Sequence, residues 1–274
     1  MVQIGDYNVM NVVGTQKEFF VLELDGTRAL LPRKGAERCT IGGSAKVFVF
    51  NNGPNDIRAT FGKPYAVINE TANLRAKDAA RFGVFFDWGI EKDLFVPSRF
   101  CPDDVRPGLH YFVRVIADPD GNGVMGDCRY REYIQKEAPD MQPGEPVHLL
   151  IYEKTKLGYN ALINNSYTGL IYHSEVFRDV NVGDSCTGYI KQVREDGAVD
   201  LSLQRQGQGG MLDAADTITA ALREHGGFLP LHDKSDAGEI YRILGLSKKA
   251  FKRGAGTLYK QRLIAIEENG IRLL

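Results

Sequence analysis

Over the first 205 residues, apolar and polar side chains alternate in short runs rich in Val, Phe, Tyr and Ile and bounded by Gly, Asp, Asn or Pro. That period belongs to half-buried strands, and helical spacing is weak throughout. The runs recur in one order three times. The first copy reads NVMNVVGTQKEFFVLELDGTRALLPR, GGSAKVFVF and NDIRATF. The second reads NLRAKDAARFGVFFDWGIEKDLFVPSR and PGLHYFVRVIADPDGNGVMGD, the third LLIYEKTKLGYNALINNSYTGLIYHSE and VGDSCTGYIKQVREDGAVDLSL. Pro32, Pro97 and His173 hold corresponding places, 65 and 76 residues apart, so a repeat of about 70 residues carries five short strands. Such a sheet is expected to close into a small barrel, because closure removes the edges that an open sheet leaves available for aggregation. Asp25-Gly26, Asp120-Gly121 and Asp196-Gly197 fall between strands, where a two-residue turn needs positive φ.

After Leu203 the pattern stops at QRQGQGGM, a polar, glycine-rich stretch that predicts a linker. Residues 211–224 then place Leu212, Ala215, Ile218, Ala221 and Leu222 at helical spacing, with His225-Gly226-Gly227 as the stop. Ser235 is the expected cap of a second helix bearing Ile240, Ile243 and Leu244, and Ser247 that of a third, KKAFKRGAGTLYKQ. Gly254 and Gly256 weaken this last helix by about 1 kcal/mol each, which predicts a close backbone approach or a bend. LIAIEENGIRLL ends the chain as a hairpin turning at Asn269-Gly270. Three helices and a hairpin make a winged helix-turn-helix. The expected fold is therefore mainly β and multidomain, with five-stranded barrels at 1–63, 64–138 and 139–205 and a winged-helix domain at 211–274.

Composition narrows the function classes. With 274 residues, 43% hydrophobic and 25% charged, the chain is ordinary folded protein of more than one domain, and no apolar run approaches the roughly 18 to 20 residues that span a bilayer. The start, MVQIGDYNVM, lacks the basic and apolar regions of a secretory signal, so a cytoplasmic protein without membrane contact is expected. Cys39, Cys101, Cys128 and Cys186 are far apart, with no C-x-x-C pair and no histidine at zinc spacing; neither metal nor cofactor is expected. The net charge of −1 resolves into +2, −1, −4 and +2 over 1–63, 64–136, 137–205 and 206–274. The one sizeable basic stretch is 240–266, where Arg242, Lys248, Lys249, Lys252, Arg253, Lys260 and Arg262 occur without an acid. On a helix Lys248, Lys249, Lys252 and Arg253 share one side, opposite Phe251, Leu258 and Tyr259, a face suited to a phosphate backbone.

Phe82-Gly83-Val84-Phe85-Phe86-Asp87 in the second repeat and Gly169-Leu170-Ile171-Tyr172-His173-Ser174-Glu175 in the third resemble the F-G-x-F-V-D and G-L-x-H-x-S-E pattern of the S1 domain, a five-stranded OB-fold. Three such barrels, followed by a winged helix containing L-S-K-K-A-F-K-R and L-Y-K-Q-R-L-I, resemble the bacterial conserved virulence factor B family over essentially the whole chain. The resemblance implies RNA binding and post-transcriptional regulation of gene expression, including virulence genes in some bacteria. It also implies RNA contacts from second-strand aromatics and a third-strand histidine. Phe82 and Phe85 match the aromatics, with Val96 at the histidine position; the third repeat has Leu157, Asn160 and Tyr172 at these places, and the first has Lys17, Phe20 and Leu31.

Single-stranded bases stack on aromatic faces while basic side chains follow the phosphates. The candidate RNA contacts are Phe20, Phe82, Phe85, Tyr172, Lys248, Lys249, Lys252, Arg253 and Lys260. In a regular strand residues 82 and 85 face opposite sides, so a bulge at Gly83 is expected to re-aim one of them. A rival nuclease reading would enlist Asp103-Asp104 or Asp118 and Asp120 as metal ligands, but these fall in turns where aspartate serves the backbone. No phosphate-binding loop, H-E-x-x-H or G-x-S-x-G occurs, so no catalytic activity is expected. The expected partner is single-stranded RNA, and DNA or another protein stays open as a partner of the winged helix.

Overall fold

The computed structural model describes residues 1–53, 56–121, 123–135, 140–176, 179–204 and 207–274, of 207–213 the backbone alone. The expected linker residues 205–206 and the expected boundary at 138/139 lie outside the described residues. β1 (Asp6–Gln16), β2 (Phe19–Leu24), β3 (Thr27–Pro32), β4 (Ser44–Gly53) and β5 (Asp56–Thr60) form a closed barrel in the order β1-β2-β3-β5-β4. The closing seam is a parallel pairing of β3 with β5 at Leu30 and Arg58. β1 serves both halves of the barrel because a bulge between Val12 and Gly14 bends it. Its inward positions Met10 and Val12 are buried, while Val9 and Val13 between and beyond them are exposed.

The second repeat comprises β6 (Thr71–Ala80), β7 (Gly83–Phe86), β8 (Leu94–Pro97), β9 (His110–Ala117) and β10 (Val124–Asp127), ordered β10-β9-β6-β7-β8. This barrel is nearly closed: β8 and β10 face each other without a ladder of hydrogen bonds. The third, closed as β11-β12-β13-β15-β14, consists of β11 (Pro146–Lys154), β12 (Gly158–Ile163), β13 (Tyr167–Tyr172), β14 (Ser185–Val193) and β15 (Val199–Ser202). The Asp-Gly turns divide. Asp25 and Gly26 both have positive φ, 49° and 77°, as a two-residue turn of this kind requires. Asp120-Gly121 and Asp196-Gly197 sit in longer loops, and there only the glycine is left-handed.

Two compact units result, Met1–Ile134 and Gln135–Leu274. In the first, two barrels share a core. Residues 47–50 of β4 are buried without alternation because both faces of the strand are covered. Val47 and Val49 fill the first barrel, whereas Phe48 and Phe50 join Ala66, Trp88 and Leu94 of the second repeat. Trp88 stands edge-on to Phe48 at 5.3 Å and donates its indole N–H to the Ala66 carbonyl at 2.8 Å. Asn51 accepts from the Val124 amide through its side chain and from the Lys92 ammonium through its carbonyl, and burial holds the Lys92 pKa below its usual value. Gln135, expected at the end of the second barrel, belongs to the second unit, where its amide donates to the Ser166 carbonyl at 2.8 Å and its side chain accepts from Tyr167.

The second unit ends in α1 (Gly207–Glu224), β16 (Phe228–Leu229), α2 (Ala237–Leu244), α3 (Lys248–Lys260), β17 (Ile264–Glu267) and β18 (Gly270–Leu273). Helix α1 starts four residues before the expected 211, taking in part of the glycine-rich stretch. Asp236, not Ser235, caps α2, accepting from the amides of Gly238 and Glu239; Ser235 instead accepts from the His232 amide. Ser247 caps α3 through the Ala250 amide. The terminal hairpin turns at residues 268–269, since Glu267 pairs with Gly270. Gly270 is required there for space, because a Cβ would lie 2.2 Å from the Leu229 carbonyl of β16.

The two glycines of α3 also separate. A Cβ on Gly254 would lie 2.9 Å from Ile218 Cδ1 and 3.0 Å from Ala214 of α1, whereas one on Gly256 meets nothing within 4 Å. Gly254 is thus the point of closest helix approach. Gly254→Ala is expected to destabilise the protein by about 1 to 3 kcal/mol through overpacking, and Gly256→Ala to stabilise it by up to about 1 kcal/mol. Denaturant unfolding of the two variants beside the parent measures both signs.

Candidate nucleic-acid interface

An OB-type barrel binds a nucleic acid strand on the outer side of its second and third strands and on the loops beside them. The outward positions follow from one repeated bond. The amide just past the third strand donates to the carbonyl just before the second: Arg33 to Glu18 at 2.9 Å, Ser98 to Phe82 at 3.0 Å, His173 to Leu157 at 3.1 Å. Glu18, Phe82 and Leu157 are therefore equivalent. Counting on from them puts Val21, Phe85 and Asn160 on the outer side, and Phe20, Val84 and Tyr159, all buried, on the inner.

In the second barrel this arithmetic assembles an aromatic surface. Phe82, 63% exposed, sits in the two-residue turn between β6 and β7, since Ala80 pairs with Gly83. Its ring lies 6.2 Å from that of Phe85 and 5.8 Å from that of Phe95, which is 5.1 Å from Phe85. The turn, not a bulge at Gly83, brings Phe82 to the side of Phe85; the bulge is in the opposite strand, between Ala76 and Asp78. Gly83 is there because a Cβ would fall 2.4 Å from the Val96 carbonyl and 2.6 Å from the Phe95 ring. Phe95 is a member that the sequence reading passed over. Its signal was present, because Leu94 and Val96 on either side are core residues and Phe95 pairs directly with Phe85.

The other barrels offer less. Phe20 is on the inner side of β2, 8% exposed, with the Arg33 guanidinium 5.5 Å from its ring centroid. Alternation therefore gives this candidate to the core. Tyr172 lies on the outer side of β13, opposite Gly158 as Pro97 lies opposite Gly83, one place beyond the buried Ile171 and its equivalent Val96. Its hydroxyl meets Arg194, which with Asn160, Tyr167, Leu170 and Asp200 lines a cleft of about 460 Å³. Arg194 is already engaged there. It bonds the Tyr172 hydroxyl and, at 2.5 Å, the buried Asp200 carboxylate, which raises its pKa. Asn160 is held by Glu153 at 2.7 Å, and the His173 ring lies edge-on to Tyr159 at 5.5 Å.

On α3 the basic residues do not act alike. The Lys248 ammonium donates to the Ser235 carbonyl at 2.7 Å, tying the start of α3 to the segment before α2. Lys249, Lys252, Arg253 and Lys260 are exposed, and at about 100° per residue they fall within one arc that also contains Gly256. A basic surface thus surrounds a patch of bare backbone. Phe251 and Leu258 face the core as expected, but Tyr259 is 56% exposed. Asp118 serves the backbone, accepting from the Asp120 amide at 3.0 Å. Among the described residues no helix is long and apolar enough to cross a membrane.

Residues 216–273 match the CvfB-like winged helix domain, and residues 4–61 match the S1 domain. Conserved virulence factor B of Staphylococcus epidermidis is 24% identical over 281 residues, covering 98% of this chain and 94% of that protein. The Bacillus subtilis protein YitL is 27% identical over 238 residues, covering 82% and 78%. A crystal structure of a multidomain protein with nucleic acid binding domains from Streptococcus pneumoniae is 22% identical with a TM-score of 0.42, covering 99% of this chain and 98% of that one.

The tether at Lys248 separates a structural lysine from its neighbours. Lys248→Ala is expected to lower stability by about 0.5 to 1.5 kcal/mol, whereas Lys249→Ala and Lys252→Ala, which remove solvated side chains, stay within about 0.5 kcal/mol of the parent. Unfolding midpoints in urea check the contrast.

Proposed function

We propose, for a chain that belongs to the conserved virulence factor B family, that it is a non-catalytic RNA-binding protein of the cytoplasm that regulates gene expression post-transcriptionally. Its S1 and winged-helix domains make it a nucleic-acid-binding protein. The observation that carries the RNA reading is the cluster of Phe82, Phe85 and Phe95, two of them strand residues and one a turn residue, presented outward where a soluble barrel gains nothing from exposing Phe82. Stacking of a base on such a ring contributes about 1 to 3 kcal/mol and requires a base free of its duplex. Phosphate contact is assigned to Lys249, Lys252, Arg253 and Lys260. The third barrel adds little, since its cation in the cleft is neutralised by Asp200.

A second reading has one observation in its favour: the basic face lies on α3, the helix that enters duplex DNA in winged-helix regulators. Fluorescence anisotropy with single-stranded RNA, single-stranded DNA and duplex DNA at two salt concentrations separates the two. Phe82→Ala is expected to weaken RNA binding about 5- to 150-fold without changing its salt dependence. Removing all four exposed cations together is expected to flatten the log-log salt slope by up to about 3. Preference for duplex DNA, insensitive to Phe82, would establish the DNA regulator instead, and binding to none of the three would leave a protein scaffold.

A further inference from the structure

The second barrel alone lacks a hydrogen-bonded seam, and two cysteines stand at that seam. The first barrel closes through β3 and β5 and the third through β13 and β15, each in parallel register. In the second the equivalent edges, β8 and β10, are held side by side by packing. A Cβ on Gly126 of β10 would lie 2.6 Å from Val96 Cγ2 and 3.1 Å from Leu94 Cδ2 of β8. Cys101 follows β8 by one 3-10 turn (Ser98–Phe100), and Cys128 directly follows β10. The Cys128 amide donates to the Phe100 carbonyl at 3.0 Å, which sets the two chain segments against each other. The Cys101 thiol donates to the Val96 carbonyl at 3.6 Å, and both cysteine side chains pack against the same core of the second repeat. Both side chains are partly exposed, so a small oxidant can reach them. Cys39 and Cys186 belong to the other two barrels.

We infer that Cys101 and Cys128 are a dithiol site that a peroxide converts to an intramolecular disulfide, sealing the second barrel covalently where the other two are sealed by a strand pairing. The neighbouring Cys128 thiol holds the Cys101 thiol below its usual pKa, while Cys101 and burial push Cys128 up. Cys101 is thus the attacking sulfur and Cys128 the resolving one. The Cys101 thiolate attacks one peroxide oxygen, the O–O bond breaks, and the departing hydroxide takes a proton to leave as water. Cys128 then attacks the sulfenic sulfur; the S–S bond forms, the S–O bond breaks, and a second water leaves with the Cys128 proton. Two thiols lose two electrons, and one hydrogen peroxide is reduced to two waters.

The test treats the full chain, reduced and folded, with hydrogen peroxide, alkylates the remaining thiols and maps the linked peptides without reduction. The expected result is a peptide joining residues 101 and 128, two hydrogens lighter than its separate parts, with Cys39 and Cys186 alkylated. Thermal unfolding of the oxidised chain is expected to move up by several degrees and to return on reduction. Cys101→Ser and Cys128→Ser should each abolish both the link and the shift while leaving the reduced midpoint near that of the parent. Alkylation of Cys101 and Cys128 at a peroxide level that oxidises Cys39, or disulfide-linked dimers in place of the internal link, would overturn the proposal. A link that leaves the midpoint unmoved would refute the seal.

Discussion

A five-stranded sheet of short strands is stable in water only if its two edge strands are dealt with, and that constraint shapes most of this protein. An unpaired edge presents a row of N–H and C=O groups ready to recruit another chain. Closing the sheet on itself with so few strands demands strong bending, which the bulges in the first strand of each repeat supply, at Val12/Gly14, Ala76/Asp78 and Ile151/Glu153. Once closed, each strand has an inside too small for anything but its own side chains. Every residue that could touch a ligand must then be outward or in a loop.

The first unit adds a second constraint, since its barrels are too small to be isolated cheaply and gain by sharing apolar surface. β4 performs this by carrying core residues on both faces, Val47 and Val49 toward one barrel and Phe48 and Phe50 toward the other. The joint is fixed in register by directional bonds, Val124 to Asn51 and Ile68 to Gly5. Two barrels locked in this way carry the aromatic surface of the second on one body, which, on the proposed reading, lowers the entropy lost when a strand of nucleic acid docks.

Much of this was legible in the amino-acid pattern, and the gaps have physical causes. Period-2 alternation, glycine-rich turns and helical spacing revealed three five-stranded repeats and a winged helix, because those signals are local. What alternation alone could not supply was register: a slip of one residue exchanges inside for outside. That is why Phe20 looked like a binding residue and is core, and why Tyr172 holds the place equivalent to Pro97 rather than to Val96. Phe95 escaped notice because its membership depends on pairing with Phe85 across a hairpin. The shared core was signalled only by VFVF, a run without alternation that a single-barrel reading leaves unexplained. The S1 match itself falls on residues 4–61, the repeat with the poorest motif, since the fold is encoded in core spacing and the motif in surface residues that are free to change.

The same separation explains how the binding groups are distributed. Core positions are bound by closure and recur in all three repeats, whereas outward positions carry no folding constraint and differ: phenylalanines in the second barrel, and in the third a cleft whose arginine is spent on Asp200 and Tyr172. The winged helix supplies what the barrels lack, four solvated cations on α3 around the open backbone of Gly256. In the proposed reading, stacking and phosphate contact fall to different domains of one chain. On that reading, tethering converts the second contact into an intramolecular event and strengthens the first. The same proposed division separates the dependence on salt, since base stacking is nearly indifferent to ionic strength while phosphate contact is not.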